Sequence, residues 1–269
     1  MRQSSFRILL LSIAVLALLL SPAILPAAQQ GAPGAGGPPA AGGPPAGAAR
    51  GGARGPAAPA TVPLPRDDAR HKGFLDIASK GNIDLLFVGD SITDLWASRG
   101  KEVWDATFGT MKTANFGISG DTTQGVLWRM QNGELEGFKA KLIVLMLGTN
   151  NINRNPNDDI VEGDRLIVEE FKKHQPQAKI LVLGIFPRVM PAGSSYRDGQ
   201  FRAPITEINP KLEKLADNNK VFYMDIGSKF LTADGVLAAE IFGDGLHPTA
   251  KGYQIWADAT LTRVKELMK

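Results

Sequence analysis

The residues best suited to chemistry lie in four short blocks rich in Gly, Ser, Asn, Asp and His. The first block is Gly89-Asp90-Ser91, which directly follows the apolar run 83–88. Such a run is typical of a buried strand, and a Ser between a strand and a helix would lie at the open edge of a sheet. Ser91 is therefore the candidate nucleophile. Its alternative is a plain helix N-cap, because Ser91 to Asp94 resembles a capping box with Asp in place of Glu.

The candidate general base is His247, in the sequence Asp-Gly-Leu-His-Pro near the C-terminus. The chain has three His. His71 lies in a charged stretch and is expected at the surface, whereas His174 ends a helical pattern, where a cation suits the helix dipole. Asp244 precedes His247 by one tight turn, so its carboxylate would fix the His tautomer. The alternative is that this stretch forms only a turn.

The remaining blocks and Ser91 supply donors for an oxyanion. Gly120 lies in the Gly-rich stretch 115–122, and a backbone without Cβ can approach a substrate closely. Asn150 follows another apolar run, and its amide carries two uncharged donors. Together with the Ser91 N–H at a helix start, these groups would form an oxyanion hole. The alternatives are a plain loop for the glycines and a turn residue for Asn150.

A nucleotide-binding loop is a poorer interpretation of these glycines. A dinucleotide fingerprint needs Gly-x-Gly-x-x-Gly after the first strand, whereas Gly-Asp-Ser follows that strand here. The four blocks in this order therefore indicate an esterase that uses a Ser nucleophile.

Short apolar runs and helical periodicities predict the elements that position these blocks. Five buried parallel strands are predicted: Leu85–Val88, Thr113–Phe116, Leu142–Leu147, Ile180–Phe186 and Val221–Ile226. Helices are predicted over 162–174, 205–218 and 250–268. The alternation implies an α/β fold, a three-layer α/β/α sandwich with a parallel sheet. Ligands bind such folds at the carboxyl ends of the strands, where three of the blocks stand.

Composition excludes several functional classes. The 269 residues allow one domain with extensions or two small domains. The formal net charge of +3 approaches neutrality once the charged N-terminal segment is removed, which argues against nucleic acid as a partner. The absence of Cys excludes disulfides, thiolate zinc sites and a Cys nucleophile.

The N-terminal part predicts export. Residues 1–28 combine Arg2 and Arg7 with an apolar stretch and a small-residue exit, which is typical of a signal peptide, and the alternative is an uncleaved membrane anchor. Residues 31–60 are almost entirely Gly, Ala and Pro and have no large apolar side chains to bury, which predicts a disordered spacer over 29–65. The folded domain is expected over 66–269. The protein is thus expected to be periplasmic, secreted or envelope-associated, close to a membrane or cell wall.

The four blocks resemble the SGNH hydrolase superfamily of GDSL lipases and esterases. Within it, the chain is most similar to platelet-activating-factor acetylhydrolase catalytic subunits and their bacterial relatives, and 126–130 and 132–135 extend this likeness. The resemblance implies a flavodoxin-like sheet of five parallel strands, no metal and no organic cofactor, and a subunit that dimerises. It also implies a catalytic triad of Ser91, Asp244 and His247, with Gly120 and Asn150 as oxyanion donors.

The sequence therefore predicts a serine esterase for short-chain, acetyl-type esters of a small molecule, glycan or lipid. The alternatives are a lysophospholipase, phospholipid acetylhydrolase or thioesterase, and a non-catalytic carbohydrate-binding module on the same fold. The export signal and spacer depart from the intracellular acetylhydrolase pattern and place a phospholipid signalling substrate in question. The long loop 189–202 follows the fourth predicted strand and would cover the acyl or leaving-group side of the site, unless it is only a surface loop.

Overall fold

The computed structural model describes residues 57–66, 68–190, 193–197 and 199–269. These residues belong to one compact unit. The predicted signal peptide and most of the predicted spacer lie outside the described residues, and both stay predictions. Within the described ranges, no helix combines the length and the apolar character needed to cross a bilayer.

Five parallel strands form one sheet in the order β2-β1-β3-β4-β5. The strands are β1 Leu85–Gly89, β2 Thr113–Gly117, β3 Leu142–Met146, β4 Lys179–Leu183 and β5 Val221–Met224. β1 pairs with β2 on one side and with β3 on the other, so the loops after these three strands meet at one edge of the sheet. This architecture confirms the predicted α/β fold with five parallel strands.

Seven helices cover the sheet in the described part of the chain. They are α1 Ala69–Ser79, α2 Ser91–Asp94, α3 Lys101–Thr107, α4 Thr123–Gln131, α5 Asn157–His174, α6 Arg202–Glu213 and α7 Ala250–Leu267. Apolar residues of α1, α4, α5 and α6 pack in one core cluster, and those of α3 and α7 pack in the other. The two clusters lie on opposite faces of the sheet, which gives the three layers that the sequence predicted.

Alternating side chains of the strands feed both clusters. In β1, Leu86 and Val88 face one helical layer, while Leu85 and Phe87 face the other. All five residues of β1 are buried. A strand covered on both faces needs apolar residues at every position, which explains the uninterrupted apolar run before Ser91.

Three predicted strands extend beyond the hydrogen-bonded ladder. The predicted strand Ile180–Phe186 ends at Leu183, because the Ile185 amide donates to Asn209 Oδ1 at 2.9 Å instead of to a neighbouring strand. Ile185 and Phe186 are nevertheless buried. Apolar content reports burial, and burial continues past the strand end. The same overshoot applies to the strands predicted to end at Leu147 and at Ile226.

Contacts of the domain begin before Arg66, where the sequence placed the boundary. Ala60 is fully buried, and its carbonyl accepts a hydrogen bond from Thr123 Oγ1 at 2.8 Å. The Ala58 carbonyl accepts from Gln124 Nε2 at 2.9 Å. Small side chains let this stretch lie close to the domain, and its backbone carbonyls supply the polar contacts.

The prediction that His71 lies at the surface is wrong. His71 is 3% exposed, and its Nδ1 lies 2.8 Å from Glu134 Oε1. Arg129 is also fully buried and contacts Glu134 Oε2, Asp121 Oδ2 and the Phe116 carbonyl. His71 therefore lies beside an interior ion-pair cluster of Arg129, Glu134 and Asp121, in which each buried charge has a partner, as buried charges require.

Candidate active site

Ser91 lies where β1 ends and α2 begins. Two glycines make this junction possible, because a Cβ on Gly89 would lie 2.3 Å from Thr93 Oγ1 and 2.4 Å from the Met146 carbonyl. A Cβ on Gly117, at the end of β2, would lie 2.3 Å from the Asp94 amide nitrogen. Such distances are far below van der Waals contact, so both strand ends need Gly for α2 to lie against them.

The structure joins Ser91, His247 and Asp244 in one chain of hydrogen bonds. His247 Nε2 lies 2.9 Å from Ser91 Oγ, and His247 Nδ1 lies 2.8 Å from Asp244 Oδ2. Ser91 is largely buried, whereas the carboxylate of Asp244 is about half exposed. Three side chains that the sequence grouped by chemistry are thus in contact, although 156 positions separate Ser91 from His247.

The turn from Asp244 to His247 fixes the His ring. Asp244 Oδ1 accepts from the amides of Leu246 at 3.0 Å and His247 at 2.7 Å, while Oδ2 accepts from the ring. Partial burial alone would raise the pKa of Asp244, but these hydrogen bonds from the His247 ring and the two amides lower it to about 2. Asp244 is therefore ionised at any ordinary pH, and Nδ1 carries a proton toward it.

Helix α7 holds this turn beside Ser91. Tyr253 Oη, in the first turn of α7, donates to the Ile92 carbonyl in α2 at 2.7 Å. The ring of Tyr253 also packs against Trp96, with centroids 4.4 Å apart. Because His247 lies just before α7, this packing fixes the distance between His247 and the helix that carries Ser91.

Gly120 lies in the loop between β2 and α4. Its φ is +79°, a left-handed conformation that favours Gly, and a Cβ there would meet no atom within 4 Å. The residue is exposed, so its backbone is open to a bound molecule. The loop is held from α2 by Asp94, whose Oδ2 accepts from Ser119 Oγ at 2.7 Å and from the Ser119 amide at 3.2 Å.

Asn150 lies in the loop after β3 and contacts the loop of Gly120. Its Nδ2 donates to the Asp121 carbonyl at 2.8 Å. One N–H of this amide is thus used to orient the group, and the amide carries a second N–H. β2 and β3 flank β1, so Gly120 and Asn150 lie on either side of the strand that leads to Ser91.

A buried ion pair supports the same loop. Arg129 Nε donates to Asp121 Oδ2 at 3.0 Å, and both side chains are almost fully buried. Asp121 therefore binds α4 through its carboxylate and Asn150 through its carbonyl. This arrangement fixes the backbone directly after Gly120.

The residue before Ser91 is a fully buried carboxyl group. Asp90 Oδ1 caps α2 by accepting from the Ile92 amide at 2.9 Å, and Oδ2 has no hydrogen-bond partner among the described residues. Burial raises the pKa of Asp90 to about 7, with the Ile92 amide opposing the rise and Asp121 adding to it. Protonated Asp90 therefore makes its full contribution to the stability of the fold below about pH 4, and this contribution is lost as the pH rises through about 7.

Arg188, which the sequence analysis missed, holds the loop of Asn150. Its Nη1 donates to the Thr149 carbonyl at 3.2 Å and to Thr149 Oγ1 at 3.3 Å, and its guanidinium lies 3.9 Å from the ring centroid of Phe201. The available signal was its position, because an Arg placed just past a strand end lies at the edge where ligands bind.

The loop 189–202 begins beside the turn of His247. The Val189 amide donates to the Gly245 carbonyl at 2.8 Å, whereas Met190 is 67% exposed. Tyr196 lines a cavity of about 320 Å³ at the carboxyl ends of β4 and β5. Whether this loop covers a bound acyl or leaving group stays a prediction.

The site has the parts that acyl transfer needs. A Ser hydroxyl bonded to a His ring, with a carboxylate on the other ring nitrogen, can lose its proton to the ring as the oxygen attacks a carbonyl. In the described ranges, no group of three His, Asp or Glu side chains is arranged to hold a metal ion.

Comparisons with known proteins identify the family of the chain. The family model described as GDSL-like lipase/acylhydrolase matches residues 87–255. Among curated proteins, human platelet-activating factor acetylhydrolase IB subunit alpha2 is 35% identical over 213 residues, which cover 74% of this chain and 87% of that protein.

Solved structures share the fold. A GDSL-like lipase from Bacteroides thetaiotaomicron superposes with a TM-score of 0.59 at 20% identity, covering 73% of this chain and 97% of that one. An acetylxylan esterase from Geobacillus stearothermophilus superposes with a TM-score of 0.55 at 20% identity, covering 68% and 94%. At these identities the likeness concerns the fold alone.

Proposed function

The chain belongs to the GDSL-like lipase/acylhydrolase family, and on that basis we propose that it is a serine esterase that hydrolyses short-chain, acetyl-type carboxylic esters. The observation that carries the proposal is the hydrogen-bonded chain from Ser91 through His247 to Asp244. Carbohydrate binding without catalysis does not require three side chains that are hydrogen-bonded in series.

In the proposed reaction, Ser91 Oγ attacks the ester carbonyl carbon while its proton moves to His247 Nε2. The tetrahedral oxyanion is held by the amides of Ser91 and Gly120 and by Asn150 Nδ2. The C–O bond to the alcohol then breaks, and His247 gives that proton to the leaving oxygen. Water, deprotonated by His247, attacks the acyl-enzyme and releases the acid, which restores Ser91.

Two observations support the proposal of an acetyl-type substrate. The human relative is named an acetylhydrolase and shares 35% of its residues with this chain over most of the domain. A protein of the same fold is named an acetylxylan esterase. Both names concern acetyl esters, although the alcohol parts differ.

Hydrolysis of p-nitrophenyl acetate, butyrate and octanoate tests the acyl preference. We expect kcat/KM to be highest for acetate and to fall with chain length, because a pocket closed beyond the acetyl group gains nothing from added methylenes. A site for lipid chains would instead gain about 0.8 kcal/mol per buried CH₂, so kcat/KM would rise from acetate to octanoate. The second result would overturn the short-chain specificity while leaving the esterase.

A phospholipid acetyl ester is the second candidate substrate. It is favoured by the same 35% identity to a platelet-activating factor acetylhydrolase subunit. Assays with an acetylated glycan and with a phospholipid that carries an acetyl ester separate the two candidates. Both substrates place an acetyl group at Ser91, so the outcome decides the alcohol part and leaves the chemistry unchanged.

Replacing Asn150 by Ala should lower kcat by roughly 10²–10³-fold, the usual loss for one oxyanion donor. KM should change little, because the amide acts on the oxyanion and has a weaker role toward the ground-state ester. Asn219→Ala is the matched control. Asn219 is exposed and lies just before β5, at the amino ends of the strands and therefore away from the site. An Asn150→Ala enzyme with the kcat of the Asn219→Ala enzyme would remove Asn150 from the oxyanion hole.

The proposal extends to the place where the enzyme acts. The export signal predicted at 1–28 and the spacer that follows support action outside the cytoplasm, on an ester near a membrane or cell wall. The homodimer implied by the family resemblance stays a prediction.

A further inference from the structure

Residues 58–66, here called the N-terminal strap, lie against the two loops that carry Gly120 and Asn150. The strap comes just before α1, and residues 58–65 of it are the end of the stretch that the sequence predicted as a spacer. The Ala58 carbonyl accepts from Gln124 Nε2 and from Asn155 Nδ2, both at 2.9 Å. One strap carbonyl thus joins the start of α4 to the loop after β3.

Ala60 is the buried anchor of the strap. It is fully buried, and its carbonyl accepts from Thr123 Oγ1 at 2.8 Å. Gly163 in α5 leaves room for it, because a Cβ there would lie 2.8 Å from the Ala60 carbonyl oxygen. The strap therefore lies in a fitted place between α4 and α5.

The strap contacts converge on Asn151, the residue after Asn150. Asn151 Oδ1 accepts from the Thr123 amide at 3.1 Å. Its Nδ2 lies 2.9 Å from Gln124 Oε1 and 3.0 Å from Asn155 Oδ1. Thr123, Gln124 and Asn155 also donate side-chain hydrogen bonds to the strap carbonyls of Ala58 and Ala60. The same three side chains therefore bind the strap on one side and accept from the Asn151 side chain, next to Asn150, on the other.

The other end of the strap holds the loop of Gly120. Arg66 Nη2 donates to the Ser119 carbonyl at 3.3 Å, and Arg66 Nε lies 3.8 Å from Asp121 Oδ1. Ser119 and Asp121 flank Gly120 in the chain. Arg66 therefore contacts both neighbours of the residue whose amide faces the substrate in the proposed reaction.

We propose that the N-terminal strap is a positioning element for the oxyanion hole, which sets the places of Gly120 and Asn150. This inference rests on the proposed esterase activity. The strap does not touch the substrate. It acts through the two loops, so its loss should lower kcat more than it changes KM.

Ala60→Glu tests the strap, because the buried site has no room for a Glu side chain and the strap must leave it. Ala57→Glu is the matched control. It makes the same change of size and charge at an exposed residue just outside the strap. We expect Ala60→Glu to lower kcat about tenfold or more with KM within about twofold, and Ala57→Glu to match the unchanged enzyme.

The Asn150→Ala background separates positioning from general destabilisation. If the strap acts through the oxyanion donors, Ala60→Glu should lower kcat by a smaller factor in Asn150→Ala than in the unchanged chain, because one of the positioned donors is already lost. Equal factors in both backgrounds would overturn the proposal. Equal kcat values for Ala60→Glu and Ala57→Glu would also overturn it.

Amide hydrogen exchange gives a readout that does not depend on activity. We expect exchange in 117–124 and 147–156 to be about tenfold faster in Ala60→Glu, with α7 unchanged and no change in Ala57→Glu. Unchanged exchange in both loops, or faster exchange that includes α7, would overturn the proposal. If the unchanged chain shows no hydrolysis that Ser91→Ala removes, the proposed function fails, and the exchange data still decide whether the strap positions the loops.

Arg66→Met keeps the test available if Ala60→Glu does not fold. Arg66 is partly exposed, so its loss leaves the core intact. We expect a lower kcat than in the unchanged enzyme, a KM that is unchanged, and faster exchange confined to 117–124. An Arg66→Met chain with unchanged kcat and unchanged exchange in that loop would remove Arg66 from the positioning role.

Discussion

Replacing Ser91 by Ala is expected to lower kcat for p-nitrophenyl acetate by roughly 10⁴–10⁶-fold, close to the loss of all triad function. The variant removes the oxygen that attacks the carbonyl and leaves the fold intact, because the rest of the Ser91 side chain fits the same place. The amide of Ser91 stays at the start of α2, so any residual rate would report the oxyanion donors alone.

Ser79→Ala provides the control for this prediction. Ser79 ends α1, and its hydroxyl donates to the Asp76 carbonyl within the same helix at 2.9 Å. We expect kcat of Ser79→Ala within about twofold of the unchanged enzyme. A Ser91→Ala enzyme that keeps more than a small fraction of the activity would show that hydrolysis proceeds without this hydroxyl.

Asp244→Asn is expected to lower kcat by about 10³–10⁴-fold, because it places a donor where His247 needs an acceptor. In the unchanged chain, the Asp244 carboxylate accepts a hydrogen bond from Nδ1–H of His247. An Asn that keeps its oxygen on the amides of Leu246 and His247 must turn its NH₂ toward Nδ1. The ring would then carry its proton on Nε2, and it could not accept the proton of Ser91.

The pH dependence helps to separate this effect from a change of charge. The pKa of Asp244 is lowered to about 2, so Asp244 is ionised and does not titrate over the range in which activity is measured. The loss in Asp244→Asn should therefore be similar from about pH 5 to pH 8. Asp234→Asn, an exposed carboxylate in the loop before this turn, should leave kcat unchanged. A loss that disappears at either end of the range would argue against the tautomer as its cause.

The sheet and the site blocks could be predicted because their signals are local. An apolar run that ends at Gly89 predicts a buried strand, and Ser91, Gly120 and Asn150 follow strand ends directly. Parallel strands bring such ends to one edge, so the residues were expected to meet. His247 could be predicted because the chain offers few His and because Asp244 lies one turn before it.

The missed features depend on partners far away in the sequence. His71 lies inside the protein because Glu134, 63 positions later, accepts its hydrogen bond. Composition places residues 58–65 in a spacer, since they continue a Gly/Ala/Pro-rich stretch and their two large apolar side chains, Val62 and Leu64, are exposed. Their contacts instead use the backbone carbonyls of Ala58 and Ala60, which are present in every sequence and therefore leave no compositional signal.

The most direct test of the account is the identity of the residue that a serine-directed phosphonate labels. The protein is incubated with a p-nitrophenyl phosphonate ester, digested and analysed by mass spectrometry, with Ser91→Ala in parallel. Because the phosphonate mimics the tetrahedral intermediate and reacts with an activated hydroxyl, we predict one adduct per chain, on the peptide that contains Ser91, and no adduct in Ser91→Ala. An adduct on another residue, or hydrolysis of p-nitrophenyl acetate that continues after Ser91 is fully labelled, would contradict the account.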